Sequence, residues 1–74
     1  MNRAERAERT AAVARLVYEK ILVRPLCVPD LLKLDLCAYE TELRDAVAHL
    51  VASNLAERVP HPRSSKAFYK GLPQ

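Results

Sequence analysis

Thr41-Glu42-Leu43-Arg44-Asp45-Ala46-Val47-Ala48-His49-Leu50-Val51-Ala52, followed by Ser53-Asn54-Leu55-Ala56-Glu57-Arg58-Val59, is the stretch on which the fold turns. Leu43, Ala46, Val47, Leu50 and Val51 recur at three- and four-residue intervals. That spacing puts them on one face of an amphipathic helix. Asn54 suits the left-handed position just past a helix end, where a short polar side chain is tolerated. Leu55-Ala56-Glu57-Arg58-Val59 then reads as a strand and Lys66-Ala67-Phe68-Tyr69-Lys70 as a second. Between them, Pro60-His61-Pro62-Arg63-Ser64-Ser65 is rich in turn formers. The prolines imply a ribbon at the edge of a sheet. Phe68 and Tyr69 alternate across the last strand, and Phe68 is expected to point inward. Residues 71–74 are expected to be a loose end.

Working toward the N-terminus, residues 2–23 lack Gly and Pro and are rich in Ala, Arg, Glu and Leu, all strong helix formers. Val13, Leu16, Val17 and Ile21 form their apolar stripe, and Glu5 stands four residues before Arg9, the favourable order for a helical ion pair. Residues 1–9 read as a helical N-terminal extension. Pro25 stops this helix, because a residue before proline avoids the helical region. Leu26-Cys27-Val28 suits a brief strand. Leu31, Leu32, Leu34 and Leu36 alternate in a way that fits either a strand or a short helix. Pro29 at a first helical position and Asp30 in the first turn favour a helix over residues 29–36.

The whole chain has 74 residues, enough for one small domain. Half of it is hydrophobic, which excludes a disordered tail. A core this thin is marginal, and dimerisation or a ligand would help it. No uncharged apolar run is long enough to span a membrane. Met1-Asn2-Arg3-Ala4-Glu5-Arg6 has no apolar stretch behind its charge, so no secretory signal is expected and the expected location is the cytoplasm. The net charge of +3 is unevenly spread. From Arg58 onward there are four basic residues and no acids, so the preceding 57 residues hold eight basic and nine acidic ones. Clustered positive charge suits a polyanion, though a solvated basic tail has the same composition.

The order helix, short strand, helix, turn, helix, two-stranded ribbon resembles the winged helix-turn-helix family. Leu43-Arg44-Asp45-Ala46-Val47, Leu50 and Asn54-Leu55-Ala56-Glu57-Arg58 carry the match. They look like the end of the recognition helix and the first wing strand of bacterial regulators of the gluconate-repressor type. The element order covers residues 10–70, and the close match residues 41–58. The fold class implied is mainly α with a small β-ribbon: three helices and a two- or three-stranded wing in a single domain.

By position, the resemblance makes residues 29–36, 37–38 and 39–53 the helix, turn and helix, with Leu32, Leu36, Leu43 and Ala46 as internal contacts. The wing loop would be residues 60–65, with Arg63 and Lys66 near its tip. Cys37 stands where the family has glycine, and Lys33 where it has a small residue. The inter-helix turn is therefore non-standard, or the register lies one residue away.

The resemblance implies a transcription regulator, a repressor by operator occupancy, that binds double-stranded DNA. Its recognition helix would enter the major groove with its N-terminal residues on base edges. Tyr39, Glu40, Thr41 and Arg44 would read bases, with Asp45 and His49 also on the exposed side. Arg58, Arg63, Ser64, Lys66 and Lys70 would hold the backbone, aided by Arg3, Arg6 and Arg9 on adjacent phosphates. Against this, residues 39–53 contain three acids and one base, a balance that resists phosphates. The alternative is a winged-helix interaction module whose acidic third helix docks a basic protein.

Ala4, Ala7, Ala11 and Ala14 form a small-residue stripe on the first helix. With Tyr18 it would make a homodimer contact, unless that end is a solvated, fraying turn. An enzyme is not expected. His49 and His61 fit no metal or triad spacing, and the single glycine excludes a phosphate-cradling loop. No metal or cofactor is expected. Cys27 and Cys37 read as small apolar fillers or, less simply, as a redox pair.

Overall fold

The computed structural model describes residues 2–74. Its elements run α1 (Arg3–Val23), β1 (Leu26–Cys27), α2 (Val28–Lys33), α3 (Glu40–Ala52), β2 (Ala56–His61) and β3 (Ser64–Gly71). The three strands form one antiparallel sheet in the order β1-β3-β2. The chain is mainly helical with a small β-ribbon, a layout compatible with a winged helix.

Asn2 caps α1, its side-chain oxygen accepting from the Glu5 N–H at 2.8 Å. The helix ends at Arg24, whose extended backbone leads into Pro25. It is continuous from Arg3, so residues 3–9 are its first turns. The buried stripe is Val13, Ala14, Val17 and Ile21. Leu16, expected inside, is 42 % exposed, and Ala14 takes its place. α1 packs on α3, which buries Leu43, Ala46, Val47 and Leu50. Val51 falls outside that stripe and is 38 % exposed.

Cys27 is the N-cap of α2, and Pro29 sits in its first turn. The Cys27 thiol, and secondarily its backbone N–H, hold the Asp30 carboxyl below the ordinary carboxylate range. α2 stops at Lys33, short of the expected Leu36, because Asp35 takes a left-handed φ of 53°. Leu31, not Leu32, points into the core: Leu31 is wholly buried and Leu32 is 41 % exposed. Cys37 has φ 56°, the conformation that glycine adopts at no steric cost. The turn is non-standard in that sense, and the exposed Cys37 is no core filler, whereas Cys27 is buried. Cys37→Gly is expected to raise stability by about 0.5–1 kcal/mol, relief of left-handed strain outweighing the entropy of glycine. A fall in the urea midpoint would show instead that the Cys37 side chain makes a contact worth more than its strain.

Asn54, at φ 60°, closes α3. The Leu55 N–H donates to the Leu50 carbonyl at 2.9 Å and the Asn54 N–H to that of Val51 at 3.1 Å, the paired bonds of a Schellman end. β2 then runs past Val59 through Pro60, which lacks an N–H. The edge strand accommodates it at an irregularity in the pairing between Val59 and His61. The ribbon is therefore longer and its loop shorter than the sequence implies: His61 pairs with Ser64 across a Pro62-Arg63 turn.

Two further expectations are reversed. Tyr69, opposite Leu26 and Arg58, packs against the core, while Phe68 stacks on His61 with ring centroids 4.4 Å apart. The C-terminal end is anchored as far as Leu72, which leaves only Pro73 and Gln74 outside these contacts. Gly71 is buried, and a Cβ there would stand 2.9 Å from the Leu22 backbone nitrogen. The Leu72 N–H donates to the Leu55 carbonyl at 2.8 Å, and the Leu72 carbonyl accepts from the Tyr18 hydroxyl at 2.6 Å. Among the described residues no helix is long and apolar enough to cross a membrane.

Candidate nucleic-acid interface

The first turn of α3 presents the expected base readers to solvent. Tyr39 is its N-cap and is 80 % exposed. Glu40, Thr41 and Arg44 are exposed beside it. Arg44 Nη2 donates to Glu40 Oε1 at 2.6 Å, an i,i+4 pair. Such a pair on an open surface contributes about 0.3–0.5 kcal/mol. It orients Arg44 without holding it back from a stronger partner.

The other two acids of α3 are occupied from α1. Arg9 Nε donates to Glu42 Oε2 at 2.6 Å and its Nη2 to the Cys37 carbonyl, also at 2.6 Å. Arg6 Nη2 lies 3.1 Å from Asp45 Oδ2. Arg6 and Arg9 were expected on phosphates, and Arg9 in a helical pair with Glu5; both instead tie α1 to α3, and Arg9 also to the turn before it. The consequence for charge is larger than the contacts themselves. Glu40, Glu42 and Asp45 each have an arginine, so the surplus of acid counted along residues 39–53 is cancelled in space.

Glu42 is the hub of this arrangement. Its carboxylate also accepts from the Tyr39 N–H at 2.9 Å, which caps α3. Arg9 first, and Tyr39 second, hold the Glu42 carboxyl below its ordinary range, and Glu42 in turn raises the Arg9 guanidinium. A depressed carboxylate stabilises the fold at neutral pH, and that contribution is lost as pH falls through its folded value, which lies below the ordinary carboxylate range. Glu42→Gln is expected to lower the thermal midpoint at neutral pH and to flatten its decline toward pH 3. An unchanged decline would remove Glu42 from the acid response.

The β2–β3 hairpin bears four further cations. Arg58, Arg63, Lys66 and Lys70 are all exposed, and among the described residues none takes part in an ion pair. Arg63 occupies the hairpin turn, its N–H donating to His61 Nδ1 at 3.1 Å. Ser64 spends its hydroxyl on the Lys66 N–H at 3.1 Å. The four bases do not share one face. Arg58 pairs across the ladder with Tyr69, on the side that faces the helices, whereas Lys70 pairs with Glu57 on the other.

Between α3 and the sheet lies a cleft of about 400 Å³. Val28, Val47, Ala48, Val51 and Tyr69 make its floor, and Arg44 and Arg58 stand at its edge. Sequence reading missed this feature. Its one signal was Ala48 and Val51, an apolar i,i+3 pair offset from the core stripe.

The proposed dimer stripe is broken. Ala4, Ala7 and Ala11 are exposed, but Ala14 is in the core and Tyr18 packs against it with its hydroxyl engaged. His49 is exposed in the last turn of α3. Among the described residues no three His, Cys, Asp or Glu side chains converge on a metal position. No family model matches the chain, and neither a curated protein nor a solved structure matches it.

Proposed function

We propose that the chain is a small DNA-binding regulator that acts by occupying an operator. The observation that carries this reading is the division of charge. Every carboxylate of α3 is held by an arginine, while the adjoining hairpin bears bases with no ion-pair partner among the described residues. Such a surface attracts a polyanion and no longer repels it at the helix. α3 enters the major groove by its first turn, with Arg44 on a guanine and Thr41, Glu40 and Tyr39 alongside. Arg58, Arg63 and Lys66 meet the phosphates. The rival reading, a basic protein docked on an acidic α3, has less to support it, because a basic partner would compete with an arginine at each of the three carboxylates.

A pair of chains would read an inverted repeat with half-sites about one helical turn apart. Ala4, Ala7 and Ala11, the part of the stripe left exposed, would be the place of contact.

The test is fluorescence anisotropy of labelled random-sequence duplex DNA at low and moderate salt. Binding that weakens steeply with salt is expected. A folded protein that leaves the anisotropy unchanged at low salt overturns the proposal.

A further inference from the structure

Duplex DNA leaves part of this face unused. The cleft between α3 and the sheet has an apolar floor, and base edges offer such a floor little beyond the thymine methyl. Val51 contributes to it while 38 % exposed. Apolar area gathered in an exposed concavity marks a docking surface.

A second cleft, of about 480 Å³, shares Val28, Arg44 and Tyr69 with the first and continues over Pro29 and Ala67 to Lys66. The two form one open trough along the seam between α3 and the sheet. It is elongated and unroofed, so it suits a length of chain better than a small molecule, which needs enclosure on most sides. The charged side chains that line it are of one sign, Arg44, Arg58 and Lys66; the Asp30 carboxyl next to it is bonded to Cys27 and Glu40 is bonded to Arg44.

We propose that this trough docks an acidic amphipathic segment of a partner protein. Apolar side chains at every third or fourth position of the segment rest on Ala48, Val51 and Tyr69, the arrangement by which a helix fills a groove. Its carboxylates meet Arg44, Arg58 and Lys66, which fixes its direction and excludes basic segments. Under the DNA reading these three cations also serve the duplex, so segment and operator exclude one another.

A random peptide library displayed on phage and selected on the whole immobilised chain tests the trough without DNA. Enriched peptides are expected to combine Asp or Glu with two or three large apolar residues at helical spacing. Their binding should weaken with salt and fall at least tenfold on Ala48→Glu and on Val51→Glu. Both positions are exposed, and circular dichroism reports whether each variant is folded. If Val51→Glu unfolds the chain, Ala48→Glu decides. No enrichment, peptides that are basic or lack apolar anchors, or peptides indifferent to the folded variant overturn the proposal. Adding random duplex DNA to the peptide complex is a separate reading: failure to compete counts against the DNA proposal alone.

Discussion

Leu31→Ala is expected to remove about 2–5 kcal/mol of stability, and Leu32→Ala no more than about 1 kcal/mol. The two leucines are neighbours on a helix of six residues, and only their direction distinguishes them. Leu31 is fully enclosed among the side chains of the core, so truncation strips apolar surface from its neighbours and leaves a void. Leu32 already spends 41 % of its surface in water. A domain of this length has a total stability of roughly 4–11 kcal/mol, so the first loss consumes a large share of it. Urea titrations followed by circular dichroism should therefore give a much lower midpoint for Leu31→Ala, with Leu32→Ala close to the parent. Equal losses, or the reverse order, would mean that α2 is rotated by about one residue from the observed register. That rotation is the one the family resemblance implies, so the experiment decides between two explicit alternatives.

The elements that sequence reading located well are those whose signal is local. The long Gly- and Pro-free run of α1, the Asn54 cap and the apolar period of α3 each need only a few neighbouring residues to specify them. The errors have a different origin. Leu16 and Ala14 both lie near the inner face of α1, and which one is buried depends on how closely α3 approaches. A small side chain at the crossing lets the helices close on each other and turns the larger one outward. Phe68 and Tyr69 alternate as expected, but the parity of β3 is fixed by its register with β1 and β2, a non-local fact. The loose end failed for the same reason: nothing near Leu72 in sequence reveals Tyr18 and Leu55 as its partners.

Charge was the most misleading quantity in one dimension. The three acids of residues 39–53 made α3 a poor surface for phosphate. In three dimensions Arg6 and Arg9 arrive from more than 30 residues away and neutralise two of them. The same contacts take those arginines out of the expected DNA-binding set. One rearrangement thus removes the acid surplus of the helix and, under the proposed function, leaves phosphate binding to the hairpin. The Cys37 turn belongs to this unit as well. Its carbonyl receives the second Arg9 bond, so the left-handed residue is held by the arginine that also orders the cap of α3.

That assignment makes the hairpin the sharpest place to test the proposed function. Arg63→Ala with Lys66→Ala should weaken binding to every duplex sequence alike, because phosphates carry no sequence information. Each phosphate contact contributes about 0.9 to the slope of log affinity against log salt. Two lost contacts should therefore lower the slope by roughly 1.8, and shrink the affinity ratio between about 50 and 200 mM salt by roughly tenfold. Net charge alone predicts the same result for any two bases of the wing. Geometry does not: Lys70 lies opposite Glu57, on the face of the sheet turned away from α3. Lys70→Ala should accordingly move the slope by much less than one unit. The hairpin bases are exposed and take part in no ion pair among the described residues, so the folded fraction should be unaffected. An unchanged slope in the double variant would take the hairpin out of contact with DNA. A Lys70 effect as large as that of Lys66 would reduce the interaction to bulk charge, with no docking of α3 and the wing as one surface.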